Sequence, residues 1–264
     1  MKFEIIRSGS KGNATLLFIG NKIFLIDMGI CLKTLNETLN KYNLNLYDID
    51  ALFLTHSHSD HTSGVKLLPP LPIYCGEGVY DANNINIINA YEEIIIDDIK
   101  IIPLTTSHDV SPSFGFMFYE GDDSLCYMTD TGYIPDKSLS FMVNATYYII
   151  ESNHNLKKLY QTNRPILLKE RIASDVGHLS NEDSAIYLSS LVGENTKQIF
   201  LAHLSEEANT PELALKAYEK KFKKYHIDLD KIEIHTTSQK ESICGGNKNE
   251  LWRIRPFRRS FKSC

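Results

Sequence analysis

Three histidines and an aspartate fall within six positions, His56-Ser57-His58-Ser59-Asp60-His61, directly after the apolar run Ala51-Leu52-Phe53-Leu54. The chain has only nine histidines in 264 residues, so such a density points to chemistry rather than composition. An apolar run that drops at once into polar residues reads as a buried strand emptying into a loop at its C-terminal edge. Open α/β sheets place their sites at that edge. Alternate residues of an extended segment share a face, which lets His56 and His58 grip one ion together. Asp60 and His61 lie past a turn and reach a neighbouring ion. Imidazole and carboxylate donors without thiolates suit Zn, Mn or Fe and argue against a structural zinc cluster.

Four residues do not close two metal sites, so the fold has to bring further ligands to this loop. The candidates are His108, Asp130, His154, His178, His203, His226 and His235. Three of them sit where a strand-like run meets polar residues. Residues 101–104 lead through Thr105-Thr106-Ser107 to His108, residues 125–128 lead to Thr129-Asp130-Thr131-Gly132, and residues 198–202 lead straight to His203. A lone histidine after a strand is more often a surface or core residue than a ligand. The context shared with the His56–His61 loop raises all three together.

The rest of the chain alternates short apolar runs with amphipathic segments. Strands are expected at 3–6, 15–19, 23–26, 51–54, 99–104, 114–119, 124–128, 147–150, 198–202 and, last, 231–235. Helices are expected over 32–42, over 185–191 behind Ser180-Asn181-Glu182-Asp183, and from Thr210-Pro211 onward, where proline suits a first turn. Meander-like strands mixed with βα units imply an α/β (α+β) fold of two sheets with helices outside. Residues 1–245 read as one catalytic domain. Residues 246–264 read as a basic tail, expected to be disordered, with Arg253, Arg255, Arg258, Arg259 and Lys262 and the only tryptophan, Trp252.

Hydrophobic residues at 42% and charged residues at 23% are ordinary for a globular protein, and the net charge of −5 gives no support for a generally basic, nucleic-acid-coating surface. An anionic substrate would therefore be drawn by a local field, such as that of bound metal ions. Cys31, Cys75, Cys126, Cys244 and Cys264 are scattered and form no C-x-x-C pair, which fits a reducing compartment. The N-terminal stretch breaks into charged and Gly/Ser residues before a signal-type run forms. No apolar stretch approaches the roughly 20 residues that span a bilayer. A cytoplasmic location without membrane attachment is expected.

With these residues in view, the sequence resembles the metallo-β-lactamase superfamily from Ser8 to about residue 240. The ordered landmarks are Phe24-Leu25-Ile26-Asp27-Met28-Gly29, the Thr55–His61 loop, His108, Asp130 and His203. Within that superfamily it is most similar to the YycJ/WalJ-type branch of Gram-positive bacteria. The likeness rests on Ser8-Gly9-Ser10-Lys11-Gly12-Asn13, Tyr127-Met128-Thr129-Asp130-Thr131-Gly132, Glu151-Ser152-Asn153-His154-Asn155, Gly177-His178-Leu179-Ser180-Asn181 and His203-Leu204-Ser205 with Asn209.

The resemblance implies a four-layer αβ/βα sandwich holding two divalent ions. His56, His58 and His108 would bind one ion and Asp60, His61 and His203 the other, with Asp130 bridging. Asp27 would stand behind the loop and orient it. It further implies a 5′–3′ DNA exonuclease, with a metal-bridging hydroxide attacking phosphorus and Asp60 and Asp130 in the catalytic set. Two ions bring about four positive charges and the carboxylates and hydroxide remove about three, which suits a phosphodiester. His178, oriented by Glu151, would protonate the leaving oxygen; His154 competes for that role or stands behind the ligands with Asp27.

Weaker readings stay open. The Ser10–Asn13 loop offers Ser10 and Asn13 to a substrate phosphate, or is a plain turn. The face of Lys216, Lys220, Lys221, Lys223 and Lys224 tracks a nucleic-acid backbone or is merely solvated, and the basic tail binds DNA or is an appendage. Two other functions remain in view. One is a small-molecule hydrolase of the same fold, acting on a cyclic phosphodiester, thioester or lactone. The other is a catalytically silent regulator, which the complete set of seven ligand candidates disfavours.

Overall fold

Every residue of the runs 14–19 and 198–202 is buried, although successive side chains of a strand point to opposite faces. Such strands need cover on both sides, and the architecture supplies it. The computed structural model describes residues 1–247 and contains two seven-stranded sheets. The first sheet holds β1 (Lys2–Arg7), β2 (Ala14–Ile19), β3 (Lys22–Ile26), β4 (Ala51–Phe53), β5 (Ile73–Cys75) and β6 (Ile85–Ile87). The second holds β7 (Ile94–Ile96), β8 (Ile99–Thr105), β9 (Phe114–Glu120), β10 (Asp123–Met128), β11 (Tyr147–Glu151), β12 (Gln198–Ala202) and β13 (Glu233–Thr236). A final strand, β14 (Ile243–Gly246), returns to the outer edge of the first sheet beside β1.

The helices are α1 (Leu32–Asn40), α2 (Ser59–Thr62), α3 (Asp136–Met142), α4 (Leu156–Gln161), α5 (Ile166–Ile172), α6 (Asn181–Leu191) and α7 (Pro211–Lys224). Alternation along the strands sorts the apolar residues into three cores. Leu17 and Ile19 join Leu125 and Tyr127 between the sheets, where Phe53 meets Phe116 and Phe118 at ring-centroid distances of 5.6 Å. Leu16 and Phe18 face outward onto Leu35 and Leu39 of α1. Cys126 and Met128 face the other way, onto Leu188 of α6 and Tyr218 and Phe222 of α7. The result is the four-layer αβ/βα sandwich. No helix among the described residues is long and apolar enough to cross a membrane.

Strand polarity positions the site. β3 and β4 run parallel, as do β10, β11 and β12. β8 and β10 are both antiparallel to β9, so β8 points the same way as β10. The chain thus leaves β8, β10, β11 and β12 at one edge of the second sheet, and His108, Asp130, Glu151 and His203 lie at or just past those ends.

The expected strands and helices are present within a few residues of their anticipated bounds. The short strands β5, β6, β7 and β14 and the helices α2, α3, α4 and α5 went unforeseen. Strands of three or four residues and helices of four to seven carry too little periodicity to register, and β14 ends in two glycines. The last expected strand, 231–235, is a 3-10 turn (Leu229–Lys231) followed by β13, and it is not the last. Gly246 pairs with Lys2 inside β14 and so belongs to the sheet rather than to a tail. The basic residues expected of that tail lie outside the described residues.

One buried acid ties three elements together. Glu4 on β1 is 1% exposed and bonds Lys41 Nζ at 2.7 Å, just past α1, and the Tyr42 hydroxyl at 2.6 Å. Burial alone raises the Glu4 pKa. Bonds from Lys41, Ser242 and Tyr42 outweigh it and hold the carboxyl below its ordinary value of 4.5. A depressed folded-state pKa contributes stability above the unfolded value, and that stability is lost as pH falls through the folded one. Glu4→Gln is therefore expected to cost about 1–3 kcal/mol in urea unfolding at pH 7. The gap to the parent should narrow as pH drops below 4.5; a gap constant with pH would contradict the ionised pairing.

Candidate metal centre

Asp27, Thr55 and His56 leave the C-terminal ends of β3 and β4, and a tight backbone network fixes the loop that follows. The Met28 N–H donates to the His61 carbonyl at 2.8 Å, and the Asn13 N–H to that of Asp60 at 2.8 Å. Gly29 permits this approach, since a Cβ there would lie 1.6 Å from the Asp60 carbonyl oxygen. Asp27, fully buried, accepts from the Thr55 N–H at 2.9 Å and from His61 Nδ1 at 2.8 Å. With its Nδ1 proton on Asp27, His61 turns Nε2 toward the centre. Burial opposes charge on His61, but Asp27 and Asp130 lift its pKa well above the ordinary value.

The other imidazoles are set in the same manner. His56 Nδ1 lies 3.0 Å from the Thr55 hydroxyl, which can accept its proton, leaving Nε2 inward. That Nε2 stands 3.0 Å from His58 Nδ1. A proton on His58 Nδ1 makes this a hydrogen bond between the two rings. His108 donates from Nδ1 to the Gly177 carbonyl at 3.2 Å. Burial, with His61 next for His56, holds His56 and His108 below the ordinary imidazole pKa, in the neutral form a metal requires.

On the second sheet, Asp130 Oδ2 is 3.4 Å from His61 Nε2 and its Oδ1 is 3.4 Å from His203 Nε2. Burial alone would raise the Asp130 pKa; His203 and His61 outweigh it and hold it well below the carboxylate range. Glu151, fully buried, bonds His178 Nδ1 at 2.7 Å and His203 Nδ1 at 3.0 Å. Against burial, those two histidines lower Glu151 to about 2. Burial likewise lowers His203, yet Asp130 and Glu151 lift it to about 9.

Four ligand groupings share members: His56, His58 and His108; His56, His61 and Asp130; Asp60, His61 and His203; and Asp130, Glu151, His178 and His203. Within each, the donor atoms lie within 4.8 Å of one another. Asp130 Oδ2 and His203 Nε2 are buried and have no hydrogen-bond partner among the described residues. Buried polar atoms without hydrogen-bond partners, ringed by imidazoles and ionised carboxylates, are what a divalent cation satisfies in place of the protons on His61 and His203, so the residues fit one. His58 and Asp60 keep 40% and 24% of their side chains exposed and mark the open side of the centre.

Several positions stand apart from the expected set or add to it. Asn13 is fully buried and its amide bonds Gly9 and the Asp60 carbonyl, bracing the loop; Ser10 is exposed. His154 is buried but sits in none of the groupings, and neither ring nitrogen has a partner among the described residues. His226 and His235 also lie outside the groupings. Unforeseen participants are Thr55, Asn153, whose amide donates to the His203 carbonyl at 2.8 Å, and Asp109, whose Oδ1 is 3.3 Å from His108 Nε2. Adjacency in sequence to His56, His154 and His108 was the only signal available for them.

Replacing Asp27 by asparagine keeps its shape but puts an amide where a proton acceptor is needed. Metal affinity of Asp27→Asn, read by chelator competition, is expected to fall about 10–100-fold. Unchanged affinity would show that His61 is oriented without Asp27.

Comparison with known proteins agrees with this geometry. Residues 24–203 match the family described as the Beta-lactamase superfamily domain. The chain is 37% identical over 229 residues to Exodeoxyribonuclease WalJ of Streptococcus pneumoniae serotype 2, covering 81% of this chain and 85% of that protein. It is 31% identical over 254 residues to Exodeoxyribonuclease YycJ of Bacillus anthracis, covering 91% and 96%. Among solved structures, the metallo-β-lactamase fold protein YhfI from Bacillus subtilis superposes with a TM-score of 0.68 at 17% identity, covering 92% of this chain and 99% of that one. With the strand ends, the ligand loop and these matches in agreement, the chain belongs to the metallo-β-lactamase superfamily, in its YycJ/WalJ-type branch.

Proposed function

We propose that the protein is a metal-dependent phosphodiesterase that degrades DNA from an end, working with two divalent ions of Zn, Mn or Fe. His56, His58 and His108 would hold one ion and Asp60, His61 and His203 the other, with Asp130 between them. When bound, such a pair supplies Lewis acidity to the phosphoryl group and an activated water at neutral pH. The names of the two curated relatives support DNA as the substrate.

The observation that carries the reading is the contact of 2.7 Å between Glu151 and His178, beside the ligand cluster and outside the seven metal-holding imidazoles and carboxylates named above. Glu151 is ionised and buried, and it also accepts the Thr131 N–H at 2.8 Å, so it cannot turn away. It holds the Nδ1 proton of His178 and leaves Nε2 to present a proton to a departing oxygen. A poor leaving group such as a sugar alkoxide needs that proton. A thioester, whose thiolate leaves without a proton, needs it less, which disfavours that member of the small-molecule alternative; a cyclic phosphodiester shares the alkoxide, and the curated relatives' names favour DNA over it.

End-labelled DNA with added Mn²⁺ tests the proposal. Wild-type protein is expected to shorten it from one end, and His58→Ala/Asp60→Ala to leave it intact. His178→Ala should lower kcat on DNA by about 10²–10⁴-fold while metal content is kept. On bis-p-nitrophenyl phosphate, whose leaving group requires no proton, the same variant should lose far less. Equal losses on both substrates would remove His178 from the proton-donor role. Turnover of the small diester with no cleavage of any DNA or RNA would overturn the nuclease reading.

A further inference from the structure

Arg171, in the last turn of α5, stands at the rim of the metal centre. Its Nη1 donates to Asp109 Oδ2. The other oxygen of that carboxylate is 3.3 Å from His108 Nε2 and 3.5 Å from His58 Nε2. One carboxylate therefore separates the guanidinium from two of the expected metal ligands. An ion pair this exposed contributes only about 0–1 kcal/mol to stability, so stability does not explain its position.

The segment that carries Arg171 is fixed against the site. The Gly177 carbonyl accepts from His108 Nδ1 at 3.2 Å. Gly132, two residues beyond Asp130, packs so closely that a Cβ there would lie 2.3 Å from Asp175. His178 follows directly, so the segment presents a rim cation and the expected proton donor from one anchored backbone. The Arg171 side chain is 55% exposed, and Asp109 is its only side-chain partner among the described residues. The rest of its planar fork of donors opens to solvent, in the geometry that takes phosphate oxygens two at a time.

We infer that Arg171 binds the substrate phosphate next to the scissile one, with Asp109 holding the guanidinium in place until substrate arrives. The inference rests on the nuclease reading and deepens it. It explains how a chain of net charge −5 draws a polyanion to this one face: the metal centre takes the scissile phosphate and Arg171 its neighbour.

The test is equilibrium binding of a short, 5′-phosphorylated, single-stranded phosphorothioate DNA to metal-loaded protein across a salt series, with steady-state kinetics on ordinary DNA. Arg171→Ala is expected to bind about tenfold more weakly. The slope of log K against log salt should shrink by about 0.7, the signature of one lost phosphate contact on a single strand. KM should rise while kcat stays within about twofold and metal content is unchanged. Arg171→Lys should recover the slope but not the full affinity. Wild-type binding and slope in Arg171→Ala would overturn the assignment alone, as would a loss of kcat and metal with KM unmoved, which marks a structural prop. A wild-type protein that neither binds nor cleaves DNA would overturn the nuclease reading and this subsite with it.

Discussion

Three carboxylates, Asp27, Asp130 and Glu151, are buried at one edge of a two-sheet core, each at most 2% exposed. An unpaired buried carboxylate is costly enough that it ordinarily takes up a proton. Here each faces imidazoles instead: Asp27 meets His61, Asp130 meets His61 and His203, and Glu151 meets His178 and His203. The chain of alternating acid and imidazole spans both sheets. It joins the loop after β4 to the ends of β10, β11 and β12, and the site depends on it. Asp130 Oδ2 and His203 Nε2 lie at ion-pair distance from their neighbours but make no hydrogen bond among the described residues, and there a divalent cation fits.

The backbone bears a cost for the same arrangement. Asp27, Asp130 and His203 adopt φ of 58°, 54° and 56°, in the left-handed region that non-glycine residues seldom occupy. Each such residue costs about 1–3 kcal/mol, and a sandwich with three apolar cores can offset it. The strain has a geometric use, because a left-handed residue just past a strand turns its side chain inward across the sheet edge. Local strain and buried charge coincide at the same residues, which marks the edge as functional and not merely structural.

The sequence made the centre legible wherever a ligand follows a strand. His56, His108, Asp130 and His203 each stand within a few residues of an apolar run, and the run is what buries and aims them. The Glu151–His178 pair was legible only through family resemblance, since 27 residues separate partners whose ring and carboxylate lie 2.7 Å apart. Thr55, Asn153 and Asp109 escaped because their work is to hold other side chains, and nothing in residue type or spacing distinguishes a brace from a loop residue. For Asn13 a Gly-rich loop leaves an anion cradle and a plain turn both open, and folding turns its amide back onto Gly9 and Asp60. Among the elements, β2, β10 and β12 were evident from their apolar length. β5, β6, β7 and β14 owe their existence to pairing with neighbours already in place and left no periodic signal of their own.

The account stands on where the ions sit. The most direct measurement is anomalous diffraction from crystals of the protein loaded with Mn²⁺. Two peaks are expected, one among His56, His58 and His108 and the other among Asp60, His61 and His203, with Asp130 between them and Glu151 bound to His178 rather than to metal. A single peak, or an ion held by Glu151 and His178, would contradict the arrangement and remove His178 as the proton donor.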